Sequence, residues 1–301
     1  MSAGTVQMPG QGRLMLAAAL MAGAAILSAA DAAIVRLLAG GVHPFVIGFF
    51  RGFFGLLFVL PWIASRPGML RSHYRFMHVA RAGLKLLSLI CFFIAFGAAP
   101  LADATAIVFT GPIFLTLGAW LLLGERLGAA RVFAVIAGFS GAMIVLQPGN
   151  SEGVSPALLF ALAGAALTAV VQLMLKVMSA RDNTDTLVAW NLILIVPLAL
   201  IPAIAVWTTP TLFELGLLVA QGIFGALNMT FVTRALGMAD ASFLAPLDFL
   251  RLPAVAIFAF ILFGEIAGPL TWIGAAVIFG ATLIAAGGGW LARLRVRLWP
   301  F

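Results

Sequence analysis

Asp248 and Arg251 stand three residues apart in an otherwise apolar run, with Pro246 and Pro253 on either side. On a helix that spacing puts both charges on one face. The prolines bend the helix and free backbone carbonyls, and such carbonyls hold polar solutes where backbone lines a cavity. The same four residues also read as a self-neutralising pair with packing kinks. Thr110, Gly111 and Pro112 make a comparable irregular stretch earlier in the chain. Asp31 and Arg51 fall in the first two apolar segments at nearly equal depth, counting about 1.5 Å per helical residue. They are expected to approach one another, either as an ion pair fixing two helices or as a pair that binds a solute's charged end or couples to protons. The matching positions in the second half are placed near Gln172 and Asn191, a neutral polar pair. Lys85 and Ser88 lie within a helical turn of each other; Lys85 either meets a solute carboxylate or snorkels to the interface. Thr168, Gln172, Gln221 and Asn228 offer neutral hydrogen bonds, to a solute or between helices.

These side chains suit holding a solute better than breaking bonds. Cys91 is the single cysteine, and His43, His73 and His78 are scattered away from it. No zinc spacing and no phosphate-cradling glycine loop is present, so no catalytic residue, cofactor or metal is expected. The chain is 63% hydrophobic and 9% charged, with a mean hydropathy of +1.16. Soluble domains carry about 25% charged residues because their surface faces water; this surface must face lipid. The excess of 17 basic over 10 acidic residues is a topology signal. It forms no basic, aromatic-interleaved patch for nucleic acid. Among the aromatics, Trp62, Trp207 and Trp299 read as interfacial anchors, whereas a lining of phenylalanines would favour a flat apolar solute.

A membrane-spanning helix needs about 20 mostly apolar residues. Ten segments qualify: 14–38, 44–63, 77–98, 102–123, 128–146, 156–178, 185–207, 211–236, 240–263 and 269–291. The first is treated as a retained helix. If the N-terminus is cytoplasmic, inner ends receive Arg13, Arg66, Arg71, Arg75, Arg81, Lys85, Arg126, Arg131, Lys176, Arg181, Arg234, Arg293, Arg295 and Arg297, leaving Arg36, Arg51 and Arg251 in or beside spans. The positive-inside rule then puts both termini in the cytoplasm. Ala22–Ala25 resembles Ala163–Ala166, Ala102-Asp103-Ala104 recurs at Ala239-Asp240-Ala241, and Gly124-Glu125 recurs at Gly264-Glu265, with offsets of 141, 137 and 140 residues. Two halves, 1–150 and 151–301, follow. With five helices each, the second enters from the opposite side. Asp103 and Asp240 are expected to cap helices, and Glu125 and Glu265 to begin helices five and ten. Gly48 and Gly52 permit close helix approach.

Ten helices in two inverted halves, with Gly-Glu between the fourth and fifth helix of each, resemble the drug/metabolite transporter superfamily in its EamA-type branch, and within it amino-acid exporters of the YddG type. The resemblance implies an all-α integral membrane protein of a bacterial inner membrane, a central cavity, and alternating access that exports small amphipathic metabolites such as amino acids, aromatic ones included. It implies no enzyme activity, a small-molecule substrate and a lipid bilayer as surroundings; no partner protein is implied, and a monomer is one oligomeric state the sequence leaves open. Other carriers, for drugs, nucleosides or sugars, remain alternatives. So does a lipid-acting membrane enzyme, although no constellation of His, Asp or metal ligands marks one.

Overall fold

A computed structural model describes residues 11–123, 129–147, 155–236, 238, 244 and 247–286. Among these residues the chain forms α1 (Gln11–Leu38), α2 (Pro44–Ala64), a 3₁₀ turn (Pro67–Leu70), α3 (Arg75–Ala98), α4 (Leu101–Val108), α5 (Gly111–Leu123), α6 (Ala129–Leu146), α7 (Pro156–Met178), α8 (Thr184–Ala205), α9 (Leu212–Leu236), α10 (Arg251–Phe263) and α11 (Pro269–Ala286), with no strand. Helices satisfy every interior amide within one segment, as hydrocarbon surroundings require. Pro44 and Pro156 start α2 and α7, where the missing N–H costs nothing. Gly264 ends α10 in the left-handed conformation, at φ 66°.

The two halves share one register, displaced by 140 residues. α1 ends and α2 starts at 38 and 44; α7 ends and α8 starts at 178 and 184. α5 and α10 are 13 residues each, starting at 111 and 251, and α6 and α11 are 18 each, starting at 129 and 269. Each half supplies five crossings, with α4 and α5 sharing one. An odd number inverts the second half relative to the first. Of the three sequence matches, only Gly124-Glu125 with Gly264-Glu265 keeps this register. The Ala-Asp-Ala match stands at offset 137, and its second copy, 239–241, lies outside the described residues. In the 140-residue register Asp31 corresponds to Val171, not to Gln172, while Arg51 corresponds to Asn191.

The fourth crossing is interrupted, not merely kinked. Between α4 and α5 the Thr110 amide donates to Ile107 O at 3.0 Å; before α10 the Leu250 amide donates to Leu247 O at 3.2 Å. Three-residue turns replace the α-helical pattern at equivalent places. Pro112 and Pro253 sit in the first turn of α5 and α10, where proline is tolerated. Pro246 lies outside the described residues, as do Glu125, Asp240 and Trp299.

Side chains are arranged for lipid. Leu121, Phe133, Ile136, Ile201, Ile204, Ile257, Phe260 and Ile261 are exposed, whereas His78, Arg81, Ser88, Thr105, Thr110 and Gln221 are buried. α6 packs along α11, α3 along α7, and α1 along α9. The α6–α11 seam is closest where Gly141 meets Gly274. A methyl group on Gly274 would stand 2.7 Å from Gly141 O and 3.4 Å from the Val145 amide. Backbone cannot yield as a side chain can, so Gly274→Val should cost about 1–3 kcal/mol through overpacking. A lower melting temperature of the purified variant in detergent is the expected reading.

Candidate functional site

Arg51 on α2 donates from Nη1 to Asp31 Oδ1 on α1 at 2.7 Å, and the same nitrogen reaches Gln221 O on α9 at 3.5 Å. Glycine makes this possible. A Cβ at Gly225 would lie 2.8 Å from Arg51 Nη1 and 3.0 Å from its Cζ, so the guanidinium rests against bare backbone on α9. Lys85 on α3 lies within electrostatic range of Asp31, Arg51, Arg81 and Arg251, and Arg251 within range of Asp31, Arg51 and Asp248. The structure thus gathers Asp31, Arg51, Lys85, Arg251 and Gln221 from five helices. Lys85 turns inward, so it does not snorkel as a loop charge; nor does Arg81, which is buried and donates to Leu187 O at 2.5 Å. Both drop out of the inner-end charge tally.

Asp248 and Arg251 do not form an ion pair within 4.0 Å. The turn at 249–250 separates them: Asp248 ends one helical piece and Arg251 begins α10, so the expected shared face is lost. Arg251 instead places Cζ 6.0 Å from the Phe96 ring centroid. Beside it, Phe109 and Phe249 stack at 4.1 Å and 15°. They are equivalent residues of the two halves, so the pseudo-twofold axis passes between their rings at the two helix breaks. Phe279 adjoins Phe249 at 4.3 Å.

Several neutral candidates are occupied elsewhere. Ser88 Oγ donates to Gly164 O at 2.9 Å and lies 2.7 Å from Thr168 Oγ1. Asn228 Nδ2 donates to Ala24 O at 2.7 Å and Ser28 Oγ at 2.8 Å. All three pairs of equivalent positions agree with the 140-residue register. Ser88, Thr168 and Asn228 thus act as helix–helix links in a medium that makes buried hydrogen bonds worthwhile. The Thr110 hydroxyl donates to Ile107 O at 2.7 Å, so it serves the helix break. Gly111 opens α5 there, and Gln172 is exposed.

Two polar clamps join the halves at opposite ends. At one end Arg36 Nη2 meets Glu265 Oε1 at 2.8 Å, and Arg36 Nη1 donates to Gly97 O at 2.7 Å and Ala99 O at 3.2 Å. Glu265 Oε2 accepts from the Leu101 amide at 3.0 Å. Glu265 precedes α11 by four residues, so it caps α4 and does not begin its own helix. The reason is that α4 starts after Pro100 with a free amide and no side-chain cap. Asp103 lies in the first turn of α4 and accepts from the Thr271 hydroxyl on α11, a link between helices in place of the expected cap.

At the other end Asp182, between α7 and α8, is enclosed. Its carboxylate accepts from the Ser72 hydroxyl, from the His73 amide at 3.0 Å and faces His78 Nε2 at 3.1 Å. Trp190 stacks on His78 at 5.5 Å and donates to Leu70 O at 3.2 Å. By sequence, Arg181-Asp182-Asn183 reads as an ordinary break between apolar segments, so the cluster is not legible there. The equivalent of Asp182 is the buried Val42, and a charged residue in a buried position of the repeat was the available signal.

Two stretches of the chain, residues 15–147 and 155–287, each match the model of the EamA-like transporter family. The matches are themselves displaced by 140 residues. The chain belongs to the EamA-like transporter family. It is similar to a riboflavin transporter of Rhizobium johnstonii, 37% identical over 236 residues that cover 76% of each chain. An S-adenosylmethionine uptake transporter of Rickettsia bellii is 30% identical, covering 86% of this chain and 89% of that one. A pseudopaline exporter of Pseudomonas aeruginosa is 27% identical, covering 79% and 84%. A solved structure at 23% identity, with a TM-score of 0.61 over 92% of this chain and 98% of the other, shares the fold. This EamA-like chain is accordingly a multi-pass membrane transporter and not an enzyme. The expected kinship with amino-acid exporters is not what the names of these relatives support.

Burial alone would raise the Asp182 carboxyl, but hydrogen bonds from the His73 amide, Ser72, His78 and the His73 ring outweigh it and hold the group at about 2, below its ordinary 3.8. A depressed folded value means the carboxylate stabilises the fold above the unfolded value, and that this contribution is lost as pH falls. Asp182→Asn should therefore lower the melting temperature of purified protein at pH 6. The gap to the parent should narrow below about pH 4, as thermal unfolding in detergent at stepped pH would show.

Proposed function

We propose that this transporter is a secondary carrier for a small organic solute with a flat aromatic part, with riboflavin the first solute to test, and that it works by alternating access in a bacterial inner membrane. The riboflavin transporter at 37% identity supports the solute class. The observation that carries the reading is the stacked pair Phe109 and Phe249 at the two helix breaks, the second two residues before Arg251, with the Phe279 ring tilted at 55° against Phe249. A flat ring system stacks favourably on such surfaces, while the neighbouring charges and the Gln221 amide hold its polar substituents. Inverted halves give two related packings, one open to each face. The clamps at Glu265 and Asp182 join the halves at opposite ends, where such packings would exchange.

Amino acids remain the second reading. It is favoured by the presence of both acids and bases in the centre, Asp31 and Asp248 with Arg51, Lys85 and Arg251, which would suit a zwitterionic head. Direction is part of the proposal too, since an inverted-repeat carrier is reversible. The relatives include both uptake transporters and an exporter.

A cytoplasmic location of both termini is part of the proposal, supported by the concentration of basic residues at the ends of spans that share a side with the N-terminus. Cysteine introduced at Glu265 should then react with an impermeant thiol reagent in intact cells, and cysteine at Arg66 only after permeabilisation; the reverse pattern would invert the orientation.

Expression in a bacterium unable to make riboflavin should allow growth at external riboflavin too low for the empty-vector strain. Proteoliposomes should show saturable riboflavin uptake and counter-exchange. Counter-exchange of labelled phenylalanine without any of riboflavin would transfer the assignment to amino acids.

A further inference from the structure

The polar centre holds more positive charge than its own carboxylates balance. Among the described residues, Arg51, Lys85 and Arg251 lie within electrostatic range of two carboxylates, Asp31 and Asp248, and Arg81 adds a further positive charge beside Lys85. Asp31 is committed to Arg51 at 2.7 Å, and Arg81 spends a nitrogen on Leu187 O. Lys85 has no carboxylate within 4.0 Å among the described residues, and Arg251 stands beyond that distance from Asp248. The Arg251 Nε is buried without a hydrogen-bond partner. Gln221 is fully buried, and neither its amide nitrogen nor its amide oxygen makes a hydrogen bond of acceptable geometry, although it adjoins Asp31. Unpaired cations and an unpaired amide inside a membrane protein are costly. They point to a partner that arrives with the solute.

Helix geometry adds to the field. The interruption at 249–250 puts Arg251 at the first position of α10. A helix N-terminus is itself positive, so the dipole reinforces the guanidinium where it would normally disfavour one. Half-helix N-termini inside transporters face anionic groups for this reason. The fold does not require either cation: in the 140-residue register Arg251 stands where the first half has Gly111, and Lys85 where the second half has Gly225. The excess charge belongs to one version of the site and not to the repeat.

Resting on the carrier reading, we propose that Lys85 and Arg251, with the Gln221 amide, form a subsite for an anionic group of the solute, a carboxylate or a phosphate ester. The Asp31–Arg51 pair borders this subsite and keeps Arg51 from adding a third free cation. Phe96, buried in the core with its ring centroid 6.0 Å from the Arg251 guanidinium, adds a cation–π contact on one side.

Binding to the purified full chain in lipid nanodiscs tests this with two matched pairs of probes: riboflavin against riboflavin 5′-phosphate, and 3-phenylpropionamide against 3-phenylpropionate. The anionic member of at least one pair should bind about tenfold more tightly than its neutral partner, and which pair does so identifies phosphate or carboxylate. Lys85→Met and Arg251→Met should each reduce that preference to about twofold or less, while Lys85→Arg, which keeps the charge, should retain it. Equal binding of neutral and anionic members, binding of none of the four probes, or a preference that survives both methionine variants would overturn the subsite. Size-exclusion profiles matching the parent establish that a variant is folded, and the Lys85→Arg comparison carries the test if Arg251→Met is not. Anion-selective binding without saturable flux in proteoliposomes would overturn the carrier reading and leave the subsite standing. Saturable flux with no charge preference would do the opposite.

Discussion

Charge placed in hydrocarbon must be matched from within the protein, because no water is at hand to solvate it. At the centre of a span an unmatched ionic group costs about 2.5–3.5 kcal/mol even on insertion scales. That constraint organises the molecule. Backbone amides close on their own helices, bulky apolar side chains turn outward, and the ionic residues of α1, α2, α3 and α10 converge on one interior region. Asp31 and Arg51 satisfy the constraint with each other. Lys85, Arg251 and Gln221 do so only in part, and a group so placed is where a transported molecule has most to offer.

Inverted duplication supplies the frame on which this asymmetry is built. The Ser88–Gly164–Thr168 and Asn228–Ala24–Ser28 bonds are the same link made twice. They tie α3 to α7 and α9 to α1, so each helix pair crosses between halves. Phe109 and Phe249 mark the axis. Around these shared features the two halves diverge: Lys85 against Gly225, Arg251 against Gly111, Asp31 against Val171, Asp182 against Val42. The hydrogen bonds made twice sit at common positions, and the charges of the interior cluster sit at divergent ones. An arrangement with two near-equivalent packings and one unequal interior suits a carrier that presents a single site to each face in turn.

The end clamps illustrate how the same chemistry serves different ends. Glu265 holds Arg36 and caps the exposed start of α4 in one stroke. Asp182 gathers Ser72 and His73, before α3, and His78, on α3, onto the α7–α8 turn. Each joins residues from both halves, and neither lies in the interior cluster. Movement of one half against the other must pass through these contacts, while the small-residue seam of Gly141 and Gly274 keeps α6 and α11 in register.

Sequence alone determined the class of protein, the ten apolar segments and most of their limits, because segment length is set by bilayer thickness and turns are marked by Gly, Pro and Asn. It also determined that the chain is duplicated and inverted, since five crossings per half is a count and not a contact. The exact register was less legible: short Ala- and Gly-rich matches recur by chance, and only the common helix ends and the twice-made hydrogen bonds resolve it at 140 residues. Which polar groups face one another was decided by tertiary structure. Ser88, Thr168 and Asn228 looked no different from solute ligands until their carbonyl partners on other helices were seen, and Asp248 and Arg251 seemed a pair until a three-residue turn fell between them. Spacing along one helix fixes a face, but what that face meets depends on how the helices are packed.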